Sequence, residues 1–81
     1  MNVNRGTVGN FLDIHLFANS FQTVNIKIYN IVGEKKISKW EELNKGENKL
    51  IIDVSSLLKG MYRITISYLN EKLKEEQFTL H

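Results

Sequence analysis

Hydrophobic and polar residues alternate one by one along much of this 81-residue chain. In a β-strand, residues two positions apart lie on the same face, so each alternating run has one apolar and one polar face. The four clearest runs have their apolar positions at Leu12/Ile14/Leu16, Val24/Ile26/Ile28, Leu50/Ile52/Val54 and Tyr62/Ile64/Ile66/Tyr68. They are rich in β-branched and aromatic residues, which fit a pleated, half-buried surface. The pattern predicts an all-β protein.

Turn-forming residues separate the runs at residues 6–10, 18–20, 32–34, 44–48, 59–60 and 70–71. Two weaker strands follow from these turns. Residues 35–40 should pair back on residues 24–31 across Gly33, and residues 72–80 should pair back on residues 61–68. The short stretch at 55–58 is expected to form a single turn. These elements predict a mostly antiparallel sandwich or barrel of six or seven strands without a long helix.

Composition narrows the class of protein. A chain of 81 residues has room for one domain, and at this size nearly every strand must contribute to one core. The absence of cysteine excludes a disulfide framework and a thiolate metal site. The net charge is only +2, with lysines and acids interleaved, so we expect no nucleic-acid or other polyanionic partner.

The chain also lacks the sequence signals of membrane insertion and targeting. No apolar run approaches the roughly 18 residues that a spanning helix needs, so we expect no stable membrane insertion. The opening residues contain no apolar segment of the kind found in secretory leaders, and we expect no signal peptide within this chain.

Residues capable of catalysis are few and scattered. Asp13 and His15 share a strand face, but two ligands are too few for a closed metal site. The adjacent acids Glu41/Glu42 and Glu75/Glu76 should point to opposite strand faces, and no nucleophile motif surrounds Ser55/Ser56. We therefore predict no enzyme activity and no catalytic, cofactor-binding or metal site.

The aromatic residues do not predict a stacking surface for nucleic acids. Tyr62 and Tyr68 lie in phase with Ile64, which favours a place in the core. Tyr29 and Trp40 can be exposed, but no concentrated basic face accompanies them.

The stretch from Asp53 to Tyr62 has the features of a compact turn between two strands. Asp53 ends a strand, where its carboxylate can accept N–H bonds from the turn, as can the Ser55 hydroxyl. Leu57 should tuck beneath the turn, and Gly60 supplies a permissive backbone where the chain re-enters the sheet. On residue chemistry alone, this is a well-made connection between strands.

The same stretch, read as Asp-x-Ser-x-Leu-x-x-Gly-x-Tyr, resembles the signature of the type A C-terminal sorting domain of the type IX secretion system, a family of Bacteroidetes bacteria. Residues 24–34, which end in Tyr-Asn-x-x-Gly-Glu with Gly33, are similar to another family strand and turn. Residues 45–48, 9–11 and 77–80 resemble further family elements. The resemblance covers roughly residues 9–80. The chain departs from the family at residues 4–6, where members usually have Pro-Asn-Pro, and at residues 75–77, which are Glu-Glu-Gln where members often have a lysine-rich strand.

The resemblance implies a fold, a function and a set of partners. The fold is an immunoglobulin-like antiparallel β-sandwich over residues 9–81, with residues 1–8 as a linker leading into it. The domain would direct a larger cargo protein across the outer membrane without catalysis, passing through the periplasm to the cell surface or the medium. Its partners would be the type IX translocon, a sortase and an N-terminal cargo domain of the same polypeptide.

Two groups of residues carry the implied function. The sorting motif and its supports are Asp53, Ser55, Leu57, Gly60, Tyr62 and Gly33. The export signal is expected in the terminal strand, at Lys72, Lys74, Phe78 and Leu80.

An alternative from a different class is an adhesive or protein-binding module of the fibronectin type III kind. It would use strand edges or the loops at residues 20–23 and 44–48. In either case the apolar strands must be fully paired, within one sandwich or with a partner strand. The sequence does not decide whether the chain forms a homodimer through a strand edge.

Overall fold

The alternating runs form strands of two packed sheets. The structure is a computed structural model and describes residues 2–5, 11–69 and 71–81. Its seven strands are β1 (Asn2–Arg5), β2 (Phe11–Ala18), β3 (Gln22–Asn30), β4 (Lys35–Leu43), β5 (Gly46–Asp53), β6 (Gly60–Tyr68) and β7 (Glu71–Leu80). None of these described ranges contains a helix long and apolar enough to cross a membrane.

The strands are arranged as a three-stranded sheet in the order β1-β2-β5 and a four-stranded sheet in the order β4-β3-β6-β7. Every pairing is antiparallel. The chain crosses from one sheet to the other after β2, β4 and β5, as in an immunoglobulin-like sandwich. This confirms the predicted all-β sandwich and the two predicted hairpins, β3–β4 and β6–β7.

The core lies between the two sheets and consists of the apolar faces of the strands. Ile26 faces Ile66 and Ile28 faces Ile64 across the β3–β6 pair. The buried hydrophobic residues are Leu12, Ile14, Ala18, Val24, Ile26, Ile28, Leu43, Leu50, Ile52, Val54, Tyr62, Ile64 and Ile66. Fully burying one aliphatic side chain of this size contributes about 1.5–3 kcal/mol, so these faces dominate stability.

The structure differs from the sequence prediction in one strand boundary and in the burial of one side chain. Strand β4 continues past Trp40 to Leu43, whose side chain is fully buried opposite Gln22. The prediction that Tyr68 belongs to the core is wrong, because this side chain is 37% exposed. The register of β6 against β7 shifts after Ile66, and Tyr68 pairs with Glu71 at the last position of the hairpin, where the strand ends.

The N-terminal residues contain a strand that the alternation did not predict. Strand β1 pairs with β2 through the register Val3↔Ile14 and its neighbours. It falls inside residues 1–8, which the sequence assigns to a linker, and the domain boundary at residue 9 stays a prediction. The predicted turn at residues 6–10 lies outside the described residues, as does Asn70 of the β6–β7 turn.

Candidate functional site

The segment between β5 and β6, residues 53–62, forms an arch that carries the chain from one sheet to the other. At its start the Asp53 Oδ1 atom accepts the Ser55 backbone N–H at 2.9 Å. The Leu57 N–H then donates to the Val54 carbonyl at 3.0 Å, which closes one turn. The half-buried Leu57 side chain packs against the core cluster beneath this turn. The arch therefore has the geometry expected from its sequence.

The arch ends at a tyrosine that holds it to the core. The buried Tyr62 side chain donates its hydroxyl to the Leu58 carbonyl at 2.7 Å. Its ring stacks on Phe78 of β7 at a centroid distance of 5.7 Å. Gly60, just before it, has φ +146°, a conformation that L side chains rarely adopt. Tyr62 thus links the arch, the core and the last strand.

Electrostatics at the arch favour an ionised Asp53. The Ser55 backbone N–H bonds to the carboxylate and, with the neighbouring Ser55 hydroxyl, lowers the pKa of Asp53 below its ordinary value. The carboxylate is exposed to solvent, where desolvation opposes this shift only weakly. At neutral pH Asp53 is therefore a charged acceptor that fixes the first residue of the turn.

The β3–β4 turn, residues 30–35, is built around one asparagine side chain. The Asn30 Oδ1 atom accepts the backbone N–H groups of Val32 at 3.1 Å and Glu34 at 2.9 Å. The Asn30 Nδ2 atom donates to the Glu34 carboxylate at 2.9 Å. Gly33 has φ +89°, in the left-handed region that glycine adopts without strain. Each conspicuous residue of this turn therefore has a role in its backbone geometry.

The predicted residues of the terminal strand β7 lie near its two ends and differ in burial. Phe78 and Leu80 lie opposite Tyr62 and Gly60 and pack against the core. Lys72 and Lys74 lie near the other end of the strand and are exposed. The predicted signal residues are thus divided into an apolar anchor and an exposed basic part.

The arch, the β3–β4 turn and the end of β7 meet at one end of the sandwich, called the motif end below. Asn30 pairs with Tyr62, and Leu80 pairs with Gly60, so the three segments are neighbours. A half-open cleft of about 380 Å³ lies between the turn and the arch. Its lining residues are Asn30, Ile31, Lys36, Ser56, Leu57, Leu58, Lys59, Gly60, Met61 and Tyr62.

The motif end exposes apolar side chains that the sequence analysis did not single out. Ile31, Val32 and Leu58 are 77%, 74% and 82% exposed, and Met61 beside them is 48% exposed. The sequence indicates this exposure only through the location of the residues: Ile31 and Val32 precede Gly33 in a turn, where no strand face can bury them. We call these four residues the apolar patch.

Most of the other candidate groups from the sequence are solvent-exposed, and none of them forms a catalytic or metal-binding cluster with other described residues. His15 is exposed opposite Lys49, and Asp13 is half-buried opposite Ile51. Within the described residues, no three metal-ligating side chains converge. Glu75 bonds to Lys72 and Arg63 at 3.3 and 3.4 Å. Glu76 is aligned instead with the core residue Ile64.

The aromatic candidates are not adjacent, because Trp40 lies opposite Asn25, four residues along β3 from Tyr29. Trp40 is 65% exposed on β4, as the sequence allowed. Tyr29 is half-buried, and the Arg63 guanidinium lies 5.4 Å from its ring centroid. The Tyr29 ring is therefore already covered by a cation on one face.

The loops of the alternative binding module lie at the opposite end of the sandwich. The β4–β5 turn is closed by Asn48, whose Oδ1 atom accepts the Asn44 N–H at 2.9 Å. The Asn48 Nδ2 atom donates to the carbonyls of Asn44 and Gly46 at 2.9 and 3.0 Å. Phe21, in the neighbouring connection between β2 and β3, is 61% exposed.

Comparison with known proteins assigns the chain to a family. No curated protein and no solved structure matches it. The family model described as a secretion system C-terminal sorting domain matches residues 8–78. That range runs from before β2 into β7 and contains both the arch and the β3–β4 turn. The chain therefore belongs to the family of secretion system C-terminal sorting domains, whose members serve type IX secretion.

Proposed function

We propose that this domain is a non-catalytic address that directs a larger cargo protein across the outer membrane through the type IX machinery. The observation that carries the proposal is the family match over residues 8–78, which includes every strand from β2 to β6 and most of β7. The cargo would precede the domain in the same polypeptide. The domain would pass through the periplasm and be removed by a sortase as the cargo reaches the surface or the medium.

The proposed recognition element is the region 72–81, which contains most of strand β7. This strand is at the edge of the four-stranded sheet, so one side of its backbone has no partner among the described strands. Phe78 and Leu80 anchor it at the motif end, while Lys72 and Lys74 remain exposed for contact with a receptor. Asp53, Ser55, Leu57, Gly60, Tyr62 and Gly33 would act as supports that fix the shape of the domain.

The apolar patch extends this proposed recognition surface. It lies next to the end of β7, and Lys36 and Lys59 line the same cleft. Exposed apolar clusters bordered by polar residues commonly mark interaction sites. A receptor that binds the end of the terminal strand would therefore also contact Ile31, Val32 or Leu58.

An export assay tests the proposal. Residues 1–81 are fused behind a signal peptide and a reporter in a type IX-competent host, and the reporter is measured in the medium, on the surface and in the periplasm. We expect export. A reporter that remains in the periplasm while the domain is folded would contradict the proposed function.

Variants that preserve the core separate recognition from folding. Lys72→Glu with Lys74→Glu should reduce export, because both lysines are exposed and their replacement leaves Phe78 and Leu80 packed. Lys35→Glu with Lys45→Glu makes the same change in charge away from β7 and should leave export intact. If both double variants are exported equally, the proposal that β7 is part of the recognition surface is wrong.

The contribution of the apolar patch needs its own pair of variants. Val32→Ser with Leu58→Ser should lower export without unfolding the domain, because both side chains are exposed. Phe21→Ser is the control at the opposite end. If Phe21→Ser lowers export as much as the patch variant, the apolar patch has no special role in recognition.

A further inference from the structure

Strand β5 forms an edge of the three-stranded sheet, and its outer side has no partner among the described strands. It pairs with β2 over eight consecutive residues without a shift in register. Its backbone is therefore a regular, extended row of N–H and carbonyl groups, half of which point away from β2. Such an edge is a template for another strand.

The edges of the four-stranded sheet differ from β5 because charged residues lie on their core-facing side. On β4, Lys39 and Glu41 lie opposite the core residues Ile26 and Val24 and form an ion pair at 2.9 Å. Inward-facing charges of this kind oppose the addition of a further strand.

Strand β7 is protected in a similar way. Glu76 and Lys74 lie opposite the core residues Ile64 and Ile66. The register also shifts after Ile66, which interrupts the regular ladder. An added strand would meet charge on the core side and a break in the backbone pattern.

Strand β5 has neither kind of protection. Its core-facing side carries no charged residue and includes Leu50 and Ile52, both buried, and Ile51 between them is 52% exposed on the outer face. An added strand would therefore meet a regular backbone, buried apolar residues on the core side, and on the outer face Ile51 between Lys49 and Asp53.

The residues of β5 are complementary to a second copy of β5 in one register. Two identical strands related by a two-fold axis pair antiparallel, and their register must be centred on a residue so that facing side chains share one surface. Centred on Ile51, the pairing sets Lys49 against Asp53 twice and Ile51 against itself. On the core side it sets Leu50 against Ile52.

Other centres are less favourable because facing side chains then conflict. A centre at Leu50 opposes Glu47 and Asp53, and a centre at Lys49 opposes two lysines; like charges directly opposite are destabilising. A centre at Asn48 opposes Glu47 and Lys49 but sets Ile51 against Lys45, and a centre at Ile52 sets Ile51 against Asp53. Charge and apolar matching therefore select the Ile51 register.

We propose that β5 pairs with β5 of a second copy of this chain, about a two-fold axis at Ile51. The two three-stranded sheets then become one continuous six-stranded sheet. Strand β7 belongs to the other sheet, so the proposed recognition element remains free in the dimer. The inference goes beyond the proposed sorting function, because neither requires the other.

A single cysteine tests the register directly. The chain has no native cysteine, so Ile51→Cys introduces one thiol that faces itself across the axis. Directly opposite residues have Cα atoms about 4.5–5.5 Å apart, which is within the range of a disulfide. On mild oxidation this variant should form a covalent dimer far faster than Lys36→Cys, an exposed control on β4. Equal rates of cross-linking would overturn the proposal.

Charge variants test the same interface without a covalent bond, by sedimentation velocity on the full chain. Lys49→Glu reverses both facing ion pairs and should raise the dimer dissociation constant about tenfold. Lys36→Glu, the matched control, should leave the constant unchanged. Adding Asp53→Asn to Lys49→Glu removes the repulsion and keeps an acceptor for the Ser55 N–H, so association should partly recover.

Two results of sedimentation would overturn the proposal. One is a monomeric unmodified chain at concentrations up to about 1 mM, where even weak specific pairing is detectable. The other is an equal loss of association in Lys49→Glu and Lys36→Glu, with circular dichroism showing that both variants are folded. A failure of the export assay would leave these measurements unaffected, so the two proposals fail independently.

Discussion

The two ends of the sandwich close their connections in different ways. At the motif end, Asn30 and Asp53 bond to the backbone of their turns, and the Tyr62 hydroxyl bonds to the arch. At the opposite end Asn48 holds one turn, while Leu69 in the β6–β7 connection is 75% exposed with φ +55°. At the motif end side chains fix both the β3–β4 turn and the arch, and the family signature lies in these two connections, which explains why it resembles a structural motif more than a binding site.

The largest expected difference between the ends comes from two tyrosines on one strand. Tyr62→Ala should lower the free energy of unfolding by about 3–5 kcal/mol, because it removes a buried ring stacked on Phe78. Tyr68→Ala, at the other end of β6, should lower it by less than about 1 kcal/mol, as expected for a partly exposed residue. Urea denaturation measures both values. Similar losses would break the comparison.

The asparagines that hold turns should matter at both ends. Asn30→Ala and Asn48→Ala should each lower the free energy of unfolding by about 1–2 kcal/mol, because each leaves backbone groups of its turn without a partner. Asn19→Ala, at an exposed position between β2 and β3, should change it by less than about 0.5 kcal/mol. If Asn48→Ala behaves like Asn19→Ala, side chains determine the backbone at the motif end only.

Substitutions at Gly33 of the motif end and at Leu69 of the opposite end should change stability in opposite directions. Gly33→Ala forces a side chain into the left-handed region and should destabilise by about 1 kcal/mol. A Cβ atom there meets nothing within 4 Å, so strain alone determines the cost. Leu69→Gly relieves the same kind of strain and should stabilise by up to about 1 kcal/mol. Thermal unfolding checks both, and a lower melting temperature for Leu69→Gly would contradict the prediction.

The smallest expected effect is the pH dependence at Asp53. Its pKa is lowered in the folded state by the Ser55 N–H and hydroxyl, so its contribution to stability is present above the ordinary carboxyl pKa. The contribution is lost as the pH falls through the lowered folded-state pKa. Asp53→Asn keeps an acceptor and should remove this part of the acid slope. Unfolding curves of both proteins between neutral and acidic pH provide the measurement, and identical slopes would exclude a role for the carboxylate charge.

The fold was largely predictable because apolar and polar residues alternate over residues 23–28 of β3 and 62–68 of β6, and short turns link β3 to β4 and β6 to β7. The limits of β4 were less predictable, because Glu41 and Glu42 interrupt the pattern before the buried Leu43. The exposure of Tyr68 depends on a register shift against β7, which period two cannot reveal. Alternation specifies a strand and its faces, but not where its neighbour ends.

The candidate site was predictable in its local bonds and not in its surface. The Asp53 acceptor and the position of Leu57 follow from interactions within a few residues, which sequence spacing can specify. The apolar patch combines residues from two turns far apart in the chain. Its existence depends on which strands pair, so it required the structure.

The pairing of β2 with β5 has a consequence for the time course of folding. Leu12 faces Ile52, so the central strand of this sheet gains its β5 partner only after about half of the chain has been brought together. Sandwiches dominated by such distant pairings fold in milliseconds to seconds, whereas isolated hairpins form in about 1–10 μs. The hairpins β3–β4 and β6–β7 can therefore form well before the two sheets close on each other. The arch at residues 53–62 connects the two sheets. Its hydrogen-bonded geometry would therefore matter late in folding, because it limits the arrangements in which the two sheets can pack together.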